Sequence, residues 1–143
     1  MSVDFNYGLQ SEQKATAVTA LSGATATVTG GATVTMAVVE PNSLVANLYV
    51  QATTSSLAIA SKWQVSKDGS TFYDLFGENN AANVTIVTGT GSAVASTRRV
   101  SAPAGVYSYK YARLAIVHTG ASAGAGDEWS NSYNWMKRGA LAT

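Results

Sequence analysis

Apolar and polar residues alternate with period two along most of this chain, the spacing that sends successive side chains to opposite faces of a β-strand. From Ala15 to Val39, alanine, valine and threonine alternate between turn signals at Ser22-Gly23 and Gly30-Gly31, which predicts two or three short strands. The best is Ala32 to Val39, with Ala32, Val34, Met36 and Val38 inward. Glu40-Pro41-Asn42 ends it, because proline cannot donate to a ladder and asparagine favours turns. Leu44 to Thr53 follows, with Leu44, Ala46, Leu48 and Val50 on one face and Val45, Asn47, Tyr49 and Gln51 on the other. In Leu57 to Ser66, the residues Leu57, Ile59, Ser61, Trp63 and Val65 share an inward face, while Lys62, Gln64 and Ser66 point away. Lys67-Asp68-Gly69 then supplies a hairpin turn, and Phe72 to Phe76 returns.

Beyond a loop at Gly77 to Asn83, strands are predicted at Val84 to Thr88, where Val84 and Ile86 share a face, and more weakly at Ala93 to Val100. Ser108 to His118 places Ala112, Leu114 and Ile116 on one face and Tyr111, Arg113, Ala115 and Val117 on the other, a strand covered on both sides. The last strand, Asp127 to Lys137, lines up Trp129, Asn131, Tyr133 and Trp135. No window of about 11 residues or more carries a helical apolar stripe. About eight to ten short strands with regular turn signals predict an all-β, antiparallel β-sandwich, immunoglobulin-like or jelly-roll. It occupies residues 15–137, between an N-terminal arm at 1–14 and a C-terminal tail at 138–143 that lack the periodicity of the strands.

Length and charge narrow the partners. A chain of 143 residues holds one domain with a real core. Its formal net charge is +1 and only 12% of residues are charged, so it lacks the field that draws proteins to nucleic acid or anionic membrane, and neither partner is expected. With no cysteine, disulfides, thiolate metal sites and cysteine nucleophiles are excluded. Asp4 and Glu12 fall where a signal peptide needs a basic start and an apolar run. No later stretch approaches the ~20 apolar residues of a membrane span, so a soluble, unprocessed protein is expected. Alanine, threonine, serine, valine and glycine dominate, while leucine, glutamate and lysine are scarce, a balance that favours sheet and turn. The surface they make, of hydroxyls and small apolar groups, suits coverage by neighbouring subunits.

Candidate chemistry is sparse. His118 is the only histidine, so a histidine metal site is excluded and any nucleophile relay would have to use this one residue. Gly89-Thr90-Gly91-Ser92 has the glycines of a phosphate loop without its lysine or helix, and reads as a turn. Asp127 and Glu128 are adjacent on a strand and face opposite ways, poor geometry for a glycosidase pair. No enzymatic activity, cofactor or metal is expected. The aromatic face of Trp129, Tyr133 and Trp135 with Asn131 reads as core or subunit contact, with a sugar-stacking platform as the alternative. The basic pairs Arg98-Arg99 and Lys137-Arg138 suit solvent or a neighbouring subunit's carboxylates. Together with the arm aromatics Phe5 and Tyr7, these residues are the candidate partner contacts: Phe5, Tyr7, Arg98, Arg99, Trp129, Trp135, Lys137 and Arg138.

Two resemblances add to this. Ser66, Asp68, Gly69, Thr71 and Phe72 resemble a shortened Asp-box, the Ser-x-Asp-x-Gly-x-Thr-Trp hairpin of sialidases, with one residue fewer between Asp and Gly and Phe for Trp. In those families the hairpin is a fold element repeated once per propeller blade. This chain has one copy, and Arg98, Arg99 and Arg113 do not form the arginine triad that a sialidase requires.

The run KWQVSKDGSTFYDL, followed by YKYARLAIVHTGASAG, is similar to a pattern of small tailed-phage virion proteins. There a Trp-Gln-Val-Ser-x-Asp-Gly hairpin precedes an aromatic-x-Arg-Leu strand ending in Thr-Gly. The similarity spans about Lys62 to Gly120 and implies a β-sandwich subunit of a phage particle. The implied role is a capsid decoration or cement protein, or a tail or fibre component. The implied partners are the major capsid protein or other virion subunits, including copies of itself. The implied location is the capsid exterior, after synthesis as a soluble protein in the host cytoplasm.

Overall fold

The structure, a computed structural model, describes residues 17–24, 26–28, 32–36, 42–75 and 84–137. They form ten strands: β1 (Thr19–Ala20), β2 (Ala26–Val28), β3 (Val34–Thr35), β4 (Asn42–Ala52), β5 (Ala58–Ser66), β6 (Tyr73–Leu75), β7 (Val84–Thr88), β8 (Val94–Ser101), β9 (Tyr111–Thr119) and β10 (Glu128–Lys137). A short 3₁₀ helix, Ala104–Ser108, precedes β9. The strands follow the period-two pattern closely. The helical turn was not expected, because five residues are too few to carry a helical stripe.

One sheet has the order β1-β10-β4-β8, and the other runs β2-β9-β5-β6 with β3 also on β9 and β7 also on β5. Every pairing is antiparallel. The pairings nest: β1 lies beside β10, β2 beside β9, β4 beside β8, and β5 beside β7. A chain folded back on itself in this way and rolled into two sheets is a jelly-roll, which decides between the two expected topologies.

The interior is built from the inward faces that the alternation predicts. Leu44, Ala46, Leu48 and Val50 of β4 face Ile59, Trp63 and Val65 of β5 across the sandwich, and Ala112, Leu114 and Ile116 of β9 join them. Trp63 and Tyr133 bridge the sheets with ring centroids 6.2 Å apart. No described strand pairs with residues 113–115 on the side of β9 shared by β2 and β3. The Leu114 N–H instead donates to the Tyr133 hydroxyl at 2.8 Å, so the buried amide keeps a partner. The Tyr107 hydroxyl does the same for the Leu44 N–H, also at 2.8 Å.

Two expectations change, and part of a third falls outside the described residues. Gln64 and Ser66 lie on the outward face of β5 yet are buried. Arg113 Nε donates to Gln64 Oε1 (2.9 Å), Gln64 Nε2 donates to Asp74 Oδ1 (2.9 Å), and the Lys62 ammonium donates to Asp74 Oδ2 (3.0 Å). Polar residues on the neighbouring strands therefore cover this face. In β7 the register shifts between Ile59 and Ala60 of its partner. That irregularity breaks the expected shared face: Ile86 and Val87 are buried, whereas Val84 is 52% exposed. Finally, Val38 lies outside the described residues, so only Ala32, Val34 and Met36 of the first predicted strand can be placed, all of them in or against the core.

The Asp-box-like turn forms as its residues suggest. Asp68 Oδ1 accepts the N–H groups of Ser70 (2.8 Å) and Thr71 (2.9 Å) and the Ser66 hydroxyl (3.0 Å), while Ser66 Oγ accepts the Gly69 N–H at 2.9 Å. These bonds, led by the Thr71 and Ser70 amides, hold the Asp68 carboxyl below its usual range. Gly69 supplies the positive φ of 81°. At the opposite end of β9, Gly120 has φ 90°, and a Cβ there would lie 2.4 Å from the Ser56 carbonyl oxygen. The Thr-Gly that ends the strand pattern thus answers a close backbone approach. Gly120→Ala is expected to cost more than about 2 kcal/mol in chemical denaturation; a loss under about 0.5 kcal/mol would mean that the turn relaxes freely.

The carboxylate of Asp127 ties this end of the sandwich together. It is fully buried. Its Oδ1 accepts the N–H groups of Thr53 (2.6 Å) and Thr54 (3.0 Å), and its Oδ2 accepts the Gly124 N–H (2.8 Å) and the Thr54 hydroxyl. One side chain thereby joins the β4–β5 and β9–β10 connections. Burial alone would raise its pKa, but the Thr54 hydroxyl and the Gly124, Thr53 and Thr54 amides outweigh it and hold the value at about 2.

Candidate contact surface

The outer face of the four-stranded sheet is half-buried along much of β4 and β10 and exposed along β8, and the sequence dictates what that face carries. Asn47, Tyr49 and Gln51 of β4 alternate with its core residues, and in register beside them lie Ser132, Ser130 and Glu128 of β10 and Arg99, Thr97 and Ala95 of β8. Side-chain bonds run across the strands. Asn47 Nδ2 donates to Asn134 Oδ1 and to Ser132 Oγ (3.4 Å), and the Tyr49 hydroxyl donates to Glu128 Oε1 (3.0 Å). The Glu128 hydrogen bond raises the Tyr49 pKa above its ordinary value. Gln51 Nε2 reaches the Gly126 carbonyl at 2.8 Å. The result is a field of amides and hydroxyls, with the Glu128 carboxylate among them, held in place by its own hydrogen bonds.

Arg98 and Arg99 stand at the open edge of this field. Among the described residues β8 pairs with β4 on one side and with no strand on the other. Arg99, opposite Asn47, lies on the outer face. Arg98, opposite Leu48, takes the inward register but stays exposed because β8 is the edge. The two guanidinium groups therefore flank the edge rather than form a clamp. Between them, Asn47, Leu48, Tyr49 and Thr97 complete a shallow hollow of about 290 Å³.

The aromatic face of β10 requires a correction. Trp129, Tyr133 and Trp135 are 0%, 1% and 7% exposed and belong to the core, so Trp129 and Trp135 are not partner contacts and form no sugar platform. The reason is topological: β10 sits between β1 and β4 in the middle of its sheet, with this face against the second sheet. Phe5, Tyr7 and Arg138 lie outside the described residues, and Lys137 is placed only as the last residue of β10, opposite Asn42. Sequence reasoning missed Asn47, Ser132 and Asn134. Their alternation in two strands was visible, but not that those strands are neighbours.

The groups considered for catalysis do not assemble. His118 is buried in the core, and among the described residues its ring nitrogens bond to neither a nucleophile nor a carboxylate. Asp127 faces loop amides, whereas Glu128 faces Tyr49. Arg113 lies in the other sheet, its guanidinium 3.7 Å from the centre of the Phe72 ring, away from Arg98 and Arg99. Among the described residues no three of His, Asp and Glu gather as metal ligands. No described helix is long and apolar enough to cross a membrane.

No protein family and no curated protein matches the chain in sequence. Solved structures of infectious bursal disease virus are similar in part. The VP2 protein of derived T=1 particles matches with TM-score 0.40 and 16% identity, covering 89% of this chain and 32% of that one. The VP2 subviral particle matches with TM-score 0.38 and 16% identity, over 89% and 33%. The Gx strain structure matches with TM-score 0.37 and 14% identity, over 90% and 34%. The chain spans about a third of the length of these solved chains.

Proposed function

We propose that this protein is a structural subunit of a viral particle, a capsid decoration or cement protein of a tailed phage that binds the shell and stabilises it through repeated contacts. The observation that carries the proposal is the outer face of the four-stranded sheet, ending at β8, which among the described residues has no strand beyond it and carries Arg98 and Arg99. A field made mostly of neutral hydrogen-bonding groups suits many modest contacts, and symmetry multiplies them into firm attachment. The open edge offers main-chain groups to a partner strand, and Arg98 and Arg99 select for carboxylates on it. The pattern shared with tailed-phage virion proteins over Lys62 to Gly120 supports the same reading. The jelly-roll supports it by analogy, being an architecture that capsid proteins use among others.

In this reading the partners are the major capsid protein, other virion subunits and further copies of the chain. The arm at 1–14 and the tail at 138–143, with Phe5, Tyr7, Lys137 and Arg138, supply the contacts between neighbours. The subunit stands on the exterior of the particle and performs no catalysis. The test is co-sedimentation with purified particles. The unaltered protein is expected to bind at a fixed ratio, and the R98E/R99E double variant and a deletion of residues 1–10 to bind at least about tenfold more weakly, with thermal unfolding nearly unchanged. A protein that never associates with particles would overturn the proposal.

A further inference from the structure

A second recess lies on the six-stranded sheet, away from β8, where the Asp-box-like turn meets the chain leaving the 3₁₀ helix. Among the described residues it is lined by Lys67, Asp68, Thr71, Tyr73 and Tyr109, and its volume is about 420 Å³. That lies within the range of about 300–1,000 Å³ typical of small-ligand sites. We propose that this cleft binds a neutral saccharide, stacked on Tyr73 and Tyr109 and hydrogen-bonded by Asp68, Lys67 and Thr71.

The lining chooses the ligand class. Tyr73 is 64% exposed, one of only three large apolar side chains in the described structure that stand so far into solvent. Tyr109 is half-buried against the core, so its position is held by packing. Two phenol rings give apolar faces for the C–H surface of a pyranose and hydroxyls at their rims. Among the described residues no Ala, Val, Leu, Ile or Met lines the recess, which disfavours an acyl chain or an apolar peptide. Among the described residues one ammonium and one carboxylate give the lining no net charge, which disfavours a phosphate or a polyacid. A polyol is the class that uses a carboxylate acceptor, an ammonium donor, a hydroxyl and two rings together.

The site is also stiff before any ligand arrives, which lowers the ordering cost of binding. The Ser66, Ser70 and Thr71 bonds to Asp68 all fall on Oδ1 and leave Oδ2 outside that network. Bonds within the turn thereby aim the carboxylate. Beneath it, the Tyr111 ring packs against Gly69 so closely that a Cβ there would meet it at 3.3 Å. The Tyr109 N–H is anchored on the Val106 carbonyl at 3.3 Å. The motif that builds the hairpin is thus placed to serve as one wall of a recognition site.

This inference does not depend on a virion role, since the cleft and the β8 edge lie on different sheets. Its test uses ligand-observed NMR of the full chain with hexamers of glucose (α- and β-linked), N-acetylglucosamine, mannose and galactose at millimolar concentration, alongside dextran sulfate as an acidic control. At least one neutral hexamer is expected to show saturation transfer and to shift the backbone resonances of Lys67, Thr71, Tyr73 and Tyr109. Tyr73→Ala, at an exposed position, is expected to weaken that binding at least about tenfold without changing thermal unfolding, and Tyr73→Phe to retain most of it. Silence from every neutral hexamer, binding only to the sulfated control, or binding unchanged in both Tyr73→Ala and Lys67→Ala would each overturn the proposal.

Discussion

Trp129→Ala is expected to remove about 3–5 kcal/mol of folding stability, the cost of emptying a large aromatic site that the surrounding core cannot refill. The indole is 0% exposed and stands on the central strand β10, in register with Thr19 of β1 on one side and Val50 of β4 on the other. Truncation leaves a cavity between two sheets whose backbones are pinned by their ladders, so little collapse can offset it. Guanidinium denaturation of the wild type and the variant measures the difference. Trp129→Phe should recover part of the loss, because it restores aromatic volume but not the full shape. If Trp129→Ala unfolded within about 1 kcal/mol of the wild type, this face of β10 would have to be a surface after all.

The second large effect concerns Asp127. Replacing it with alanine strips the acceptor from the Thr53, Thr54 and Gly124 amides and the Thr54 hydroxyl, a cost of about 3 kcal/mol because the groups left behind lose a charged partner. The same carboxylate sets an acid limit. Its folded pKa of about 2 lies below the unfolded value of 3.8, so the ionised form favours the folded state. That contribution is fully present above pH ~4 and is lost as the pH falls toward 2; a shift of this size corresponds to about 2 kcal/mol. Asp68 and Asp74 are held below their usual range as well and add to the acid slope. Stability profiles between pH 2 and 5 should therefore be flatter for Asp127→Ala than for the wild type, though not flat. Parallel profiles for the two proteins would show that Asp127 is not the group that titrates.

Which of these effects the sequence foretold depends on how local the physics is. Trp63 was legible as a core residue because alternation within β5 is a property of nine consecutive residues. The Ser66-Asp68-Gly69 turn was legible for the same reason: its hydrogen bonds close within a few residues. Arg98 and Arg99 were legible as exposed, since two adjacent cations have no place inside a small sheet protein. The Trp129 face was ambiguous. Aromatic residues on one side of a strand look alike whether a second sheet or a sugar is to cover them. The Tyr73 and Tyr109 cleft was not visible at all, as its two rings come from segments far apart in sequence that meet only in the folded sandwich.

By itself the sequence determined most of the strands, their inward faces except that of β7, and the turns between them, because backbone sterics and period-two burial act over a few residues. Only the tertiary structure decided that β1 pairs with β10 and β2 with β9, and hence that the sandwich is a jelly-roll. It alone made Asp127 a staple rather than a surface carboxylate, and Gln64 a buried residue on an outward face. Those outcomes depend on which segments distant in sequence are brought together, and no local pattern encodes that choice.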